Sequence, residues 1–183
     1  MSYIYIIPID TEPESWLAPL ETSIQNTFGL QTKCSSYAIN LPAALDPERR
    51  QYNSSQILLQ LIDSPPADAS RIIGVAAVDL FIPILTFVFG EAQLGGIGAV
   101  ISLHRLNNRF YGLPENRELL TERIVKEAVH ELGHTFGLLH CSNPACVLTP
   151  STYAEDIDQK SSELCPQCRQ QLQESHPNPA RPD

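Results

Sequence analysis

The chain has 183 residues, 43% of them hydrophobic, and a formal net charge of −9. That length suits one domain with a small appendage. The acidic balance argues against nucleic acid and anionic membrane as partners, since both reward basic patches, and no apolar stretch is long enough to span a bilayer. In chain order, residues 3–7 (YIYII) read as a short apolar strand. Residues 14–28 follow at helical spacing, with Trp16, Leu17, Leu20, Ile24 and Phe28 on one side. A strand is expected near 31–39; it contains Cys34, read as a free, partly buried thiol. Pro47 and Glu48 are expected to open a second helix running to about Ile62, and the proline-rich stretch 63–70 is expected to be exposed. Residues 71–78, 85–91 and 99–105 are β-rich runs, and Gly95, Gly96 and Gly98 read as a turn because no helix follows them. Strands alternating with helices predict an α/β fold with a mostly parallel sheet backed by two helices.

Residues 116–136 form the longest periodic segment. Leu120, Ile124, Ala128 and Leu132 recur every four residues with Val125 and Val129 beside them, and Asn116 or Thr121 could cap the start. This stripe predicts a long helix with one buried face. Its end carries the run HELGHTFGLLH, residues 130–140. Residues four apart on a helix share a face, so His130 and His134 can aim two ring nitrogens at one ion. Glu131 cannot reach the same coordination position, but it can reach a water beside the ion, where a general base belongs. Gly137 stands where the helix must stop, since glycine adopts a left-handed backbone without strain. His140 can then return to the metal from outside the helix. Three protein ligands leave a fourth position open, the pattern of a catalytic zinc. His104, at a strand end, and His176, in a tail (174–183) expected to be disordered, do not read as ligands.

Four of the five cysteines fall in the C-terminal part: Cys141 and Cys146, then Cys165 and Cys168. Two short pairs on a separated frame read as a structural zinc site, with two disulfides as the competing reading. The first residues show no secretory pattern, so a reducing, cytoplasmic setting is expected, which favours metal over disulfides. A lobe of about forty residues buries little apolar surface, and a metal staple would order it. His140 and Cys141 are neighbours, so in extended chain one can face each ion.

The run HELGHTFGLLHC, with Cys146 four residues further on and CPQC at 165–168, resembles the archaemetzincins, metzincin-type peptidases with an extra four-cysteine zinc site. The resemblance implies two zinc ions. One is catalytic, on His130, His134 and His140 with Glu131 as base; the other is structural, on Cys141, Cys146, Cys165 and Cys168. It also implies a twisted mixed sheet above the active-site helix, and a peptide or protein substrate lying extended along an edge strand near Phe87–Glu91. The expected organisation is one catalytic domain over 1–173, divided at 137/138 into an N-terminal subdomain and a zinc-stapled C-terminal one, and monomeric. One position departs from the family: its methionine two residues after the second cysteine is Leu148 here, and the chain's one methionine is Met1. Leucine and methionine have similar volumes, so the metal site is expected to survive. The function expected is zinc-dependent peptide hydrolysis. Its rivals are a zinc protein that binds peptides and cleaves them poorly, and a zinc hydrolase of non-peptide amides.

Overall fold

The structure is a computed structural model that describes residues 2–13 and 15–176. In chain order its elements are β1 (Tyr3–Ile9), α1 (Leu17–Phe28), β2 (Thr32–Cys34), a one-turn α2 (Leu41–Ala44), β3 (Leu45–Asp46), β4 (Gln51–Asn53), α3 (Ser54–Asp63), β5 (Ala69–Ala76), β6 (Leu80–Phe81), β7 (Gly90–Ala92), β8 (Gly98–Ser102), a 3-10 turn (Asn108–Tyr111), α4 (Arg117–Thr135), α5 (Ala154–Gln159) and α6 (Pro166–Ser175). The main sheet has the order β2-β1-β5-β8-β7, and its first four strands are parallel. Only the edge strand β7 runs antiparallel to its neighbour. The mixed, mostly parallel α/β sheet expected from the alternation of elements is therefore present.

Both faces of this sheet are covered, which is why β1 and β5 read as nearly continuous apolar runs. Side chains alternate across the pleat. Ile4, Ile6, Ile73, Val75, Ala99 and Ile101 join α1 and α4 in one core. Tyr5, Ile7, Ile9, Ile72, Ala76 and Val100 join Ile57, Leu58 and Leu61 of α3 in the other. The first core continues into the C-terminal lobe through Cys146, Val147, Leu148, Ala154, Ile157, Leu164 and Leu172. Arg123 of α4, itself buried, donates two hydrogen bonds to Asp158 and ties α5 to α4 (2.7 and 2.6 Å).

Several boundaries differ from expectation. The helix expected from Pro47 begins only at Ser54, behind the cap of Asn53, whose side chain accepts from Gln56 N–H at 3.2 Å. Residues 45–53 instead form the β3–β4 hairpin of a small second sheet. Asp46 Oδ1 takes the N–H groups of Glu48 and Arg49, both at 3.0 Å, and Arg50 turns left-handed at φ 55°. Both features favour a turn over a helix. The strand expected over 31–39 is confined to Thr32–Cys34, and Cys34 is exposed rather than partly buried. The β-rich run 85–91 pairs regularly with β8 only from Gly90 on. The tail expected to be disordered is helical at Glu174 and Ser175, which close α6. His176 then lies against Phe136, and residues 177–183 fall outside those described.

Candidate active site

Helix α4 sets the site. Asn116 caps it by accepting from Leu119 N–H at 3.0 Å, and every residue from Arg123 to Gly133 is buried. It ends as the glycine predicted: Gly137 sits at φ 84°, its N–H bonded to the carbonyl of His134 at 2.9 Å. The chain then swings His140 back beside the helix. The ring centroid of His140 lies 4.9 Å from that of His134 and 5.3 Å from that of His130.

The rings are oriented by backbone. His130 Nδ1 contacts the carbonyl of Val147 and His134 Nδ1 that of Leu138, each at 2.8 Å. A carbonyl can only accept, so both Nδ1 atoms carry the proton and both Nε2 atoms keep a lone pair. Those two Nε2 atoms face each other at 3.2 Å. Two lone pairs repel at that distance unless a cation lies between them. Zinc–nitrogen bonds of about 2.0–2.1 Å in a tetrahedron place two ligand nitrogens about 3.3 Å apart. One nitrogen from each of the three histidines lies within 4.8 Å of the others. Burial, helped by the positive charge of Lys160, pushes the His130 ring down to about 3, and burial lowers His134 as well. Both rings are thus held neutral, the form that binds metal.

Glu131 lies in the same cleft, and burial first, then the nearby Glu127, pushes its carboxyl well above the usual range. The cleft encloses about 380 Å³. Leu85 to Gly90 form one wall and Pro150 to Thr152 the other, over a floor of Glu127, His130, Glu131 and His140. A larger groove of about 1120 Å³ between α1 and α4 contains none of the histidines, so the chemistry locates the site in the smaller cavity. Gly90 presses on the glutamate: a Cβ there would lie 2.6 Å from Glu131 Cγ. The wall that begins at Leu85 is braced from behind. Arg49 donates to the Leu85 carbonyl at 2.8 Å, and Gln51 to that of Thr86 at 3.0 Å. Arg105, paired in two bonds with Asp79, lies over the ring of Phe87 at 4.2 Å. Leu148 packs against the ligand-bearing helix at Gly133, its Cδ2 2.8 Å from where a Cβ on that glycine would be.

The four cysteines also converge, with their sulfurs within 4.8 Å of one another and none in a disulfide. Cys141 Sγ and Cys165 Sγ are 3.8 Å apart. Zinc–sulfur bonds of about 2.3 Å in a tetrahedron give about 3.8 Å between sulfurs. The backbone N–H of Cys168 is the main cause that brings the Cys165 thiol down to about 7, while burial raises the Cys146 and Cys168 thiols. All eight residues singled out by the sequence thus lie in these two clusters and the cleft. Sequence reasoning missed Gly90, the paired Glu127 and Lys160, and the carbonyls of Val147 and Leu138. A carbonyl leaves no trace in sequence, and the glycine is explained only by the glutamate it touches.

Residues 55–174 match the family model described as Peptidase family M54. The archaemetzincin of Methanocaldococcus jannaschii is 44% identical over 173 residues, covering 93% of each chain. Among solved structures, the archaemetzincin of Methanopyrus kandleri superposes with a TM-score of 0.85 at 32% identity, covering 95% of this chain and 94% of that one. A zinc-dependent peptidase from Methanocorpusculum labreanum gives 0.82 at 30% identity, over 92% and 99%.

Proposed function

Taking as premise that the chain belongs to peptidase family M54 and is a zinc metallopeptidase, we propose that Glu131 is its general base and that it holds two zinc ions in separate sites. His130, His134 and His140 would hold the catalytic ion, and Cys141, Cys146, Cys165 and Cys168 a structural one. When bound, the catalytic zinc supplies Lewis-acid polarisation and lowers the pKa of water. Glu131 takes a proton from the attacking water and delivers it to the leaving amine, so one carboxylate serves as base and then acid. Burial makes that carboxylate a stronger base than an exposed one. The observation that carries this reading is the joint placement of Glu131, His130 and His140 around one cleft.

The substrate would be a peptide lying extended along β7. Gln93 and Ser102 bond across to Gly98 and Phe89, so Gly90 and Ala92 turn their backbone groups away from β8. An added strand could pair with them beside Glu131. Among the described residues no helix is long and apolar enough to cross a membrane, and the free thiols suit a reducing, cytoplasmic setting. The test is cleavage of a quenched-fluorescent peptide library before and after chelation. Activity should vanish with zinc and return when zinc alone is restored. Cleavage that persists in zinc-free protein would overturn the proposal.

A further inference from the structure

Lys160 closes α5, and its side chain is 1% exposed, beside the 4% of Glu127. A buried ammonium is tolerated only where its protons find acceptors. Its Nζ donates to Glu127 Oε1 and to the carbonyl of Thr149, each at 3.1 Å. One acceptor, Glu127, lines the cleft, and the other, Thr149, directly precedes the lining residues Pro150 to Thr152. Glu127 lies one helical turn before His130 and forms part of the floor, and Thr149 leads into the wall of Pro150, Ser151 and Thr152. The far end of that wall is tied elsewhere: Asp156 of α5 accepts the N–H groups of Thr152 and Tyr153 at 2.8 and 2.9 Å. Lys160 therefore links the start of the wall to α4. Its own backbone is fixed nearby, since Ser161 N–H donates to the Ala145 carbonyl at 3.0 Å. Stability alone does not account for this arrangement, because an apolar pair of the same size would fill the space as well or better.

We propose that Lys160 is a positioning residue. It sets the separation between α4 and the 150–152 wall, and so decides which peptide side chains the cleft admits. This rests on the peptidase reading above. The test compares Lys160→Met and Lys160→Arg with the wild type on peptides that differ in one residue, from Ala to Trp, next to the scissile bond. For Lys160→Met the Trp-to-Ala ratio of kcat/KM should change about tenfold, through KM, with zinc content unchanged. Lys160→Arg, which keeps a charged donor, should stay within about threefold of wild type. Where Lys160→Met alone fails to fold, the double variant Glu127→Met/Lys160→Met removes both charges, and the same change of ratio is expected in it. An unchanged ratio in a folded, zinc-replete variant would overturn the proposal. So would losses that merely track lost zinc. The same peptides are also titrated by fluorescence anisotropy in a Glu131→Gln background. A Lys160-dependent ratio of Kd values, without cleavage by the wild type, would support the positioning role while contradicting the peptidase reading.

Discussion

The histidine cluster and the cysteine cluster are built on opposite plans. Two of the histidines, His130 and His134, grow from a long helix packed into the main core, and their rings are aimed by backbone carbonyls. The cysteines sit on loops and at the start of a short helix, and their thiols meet beside the apolar residues that carry the main core into the C-terminal lobe. Yet the helix-borne site leans on the loop-borne one. The carbonyl that orients His130 belongs to Val147, the residue after Cys146. His140 precedes Cys141, whose N–H is bonded to the Leu148 carbonyl at 3.0 Å. A preorganised centre can thus depend on the cysteine cluster beside it.

The predictions probe that dependence, beginning with the largest effect. Glu131→Gln keeps the three ring nitrogens and should retain zinc while losing about 10³-fold or more in peptide hydrolysis, read by steady-state cleavage with elemental analysis. If acid–base work belonged elsewhere, activity would survive. Gly90→Ala should cost about 10²-fold in kcat/KM with metal content unchanged, because the new methyl displaces Glu131 from beneath or moves the edge strand. Cys165→Ala/Cys168→Ala acts from the other cluster. It should lose one zinc per chain and weaken the remaining one about 10–100-fold in chelator competition, as removal of an orienting partner does elsewhere. Unaltered affinity would show the two sites to be independent.

Two smaller effects sharpen the picture. Leu148→Met restores the residue usual in the family and should shift unfolding free energy by less than about 1.5 kcal/mol. Asp156 offers a pH test. The N–H of Tyr153, then that of Thr152, holds its carboxyl below the ordinary 3.8. A depressed folded value means that this stabilisation is complete above the unfolded pKa and is lost as pH falls through the folded one. Asp156→Asn should therefore lower stability near neutrality by under about 1 kcal/mol, a gap that closes below about pH 4 in denaturant titrations.

The site was legible because its spacings are local. His130 and His134 are fixed by helical period, Gly137 by the need for a left-handed turn, and the cysteines by two short pairs. The order of strands was legible because parallel strands covered on both faces leave unbroken apolar runs. The stretch 45–53 was misread because Pro47-Glu48 suits the first turn of a helix as well as a tight turn. The choice was made by the side chain of Asp46 and the backbone of Arg50, neither of which carries a periodic signal. The pairing of Lys160 with Glu127 was invisible for another reason. It joins residues 33 apart, and nothing in either neighbourhood marks a charge as buried.

Zinc-edge X-ray absorption on the purified chain, calibrated by elemental analysis, tests the central claim most directly. The account predicts two zinc ions per chain and a composite first shell: sulfur at about 2.3 Å from a four-thiolate site and nitrogen or oxygen at about 2.0–2.1 Å from a three-histidine site with one further light atom. A single zinc per chain, or a spectrum fitted by sulfur alone, would contradict it.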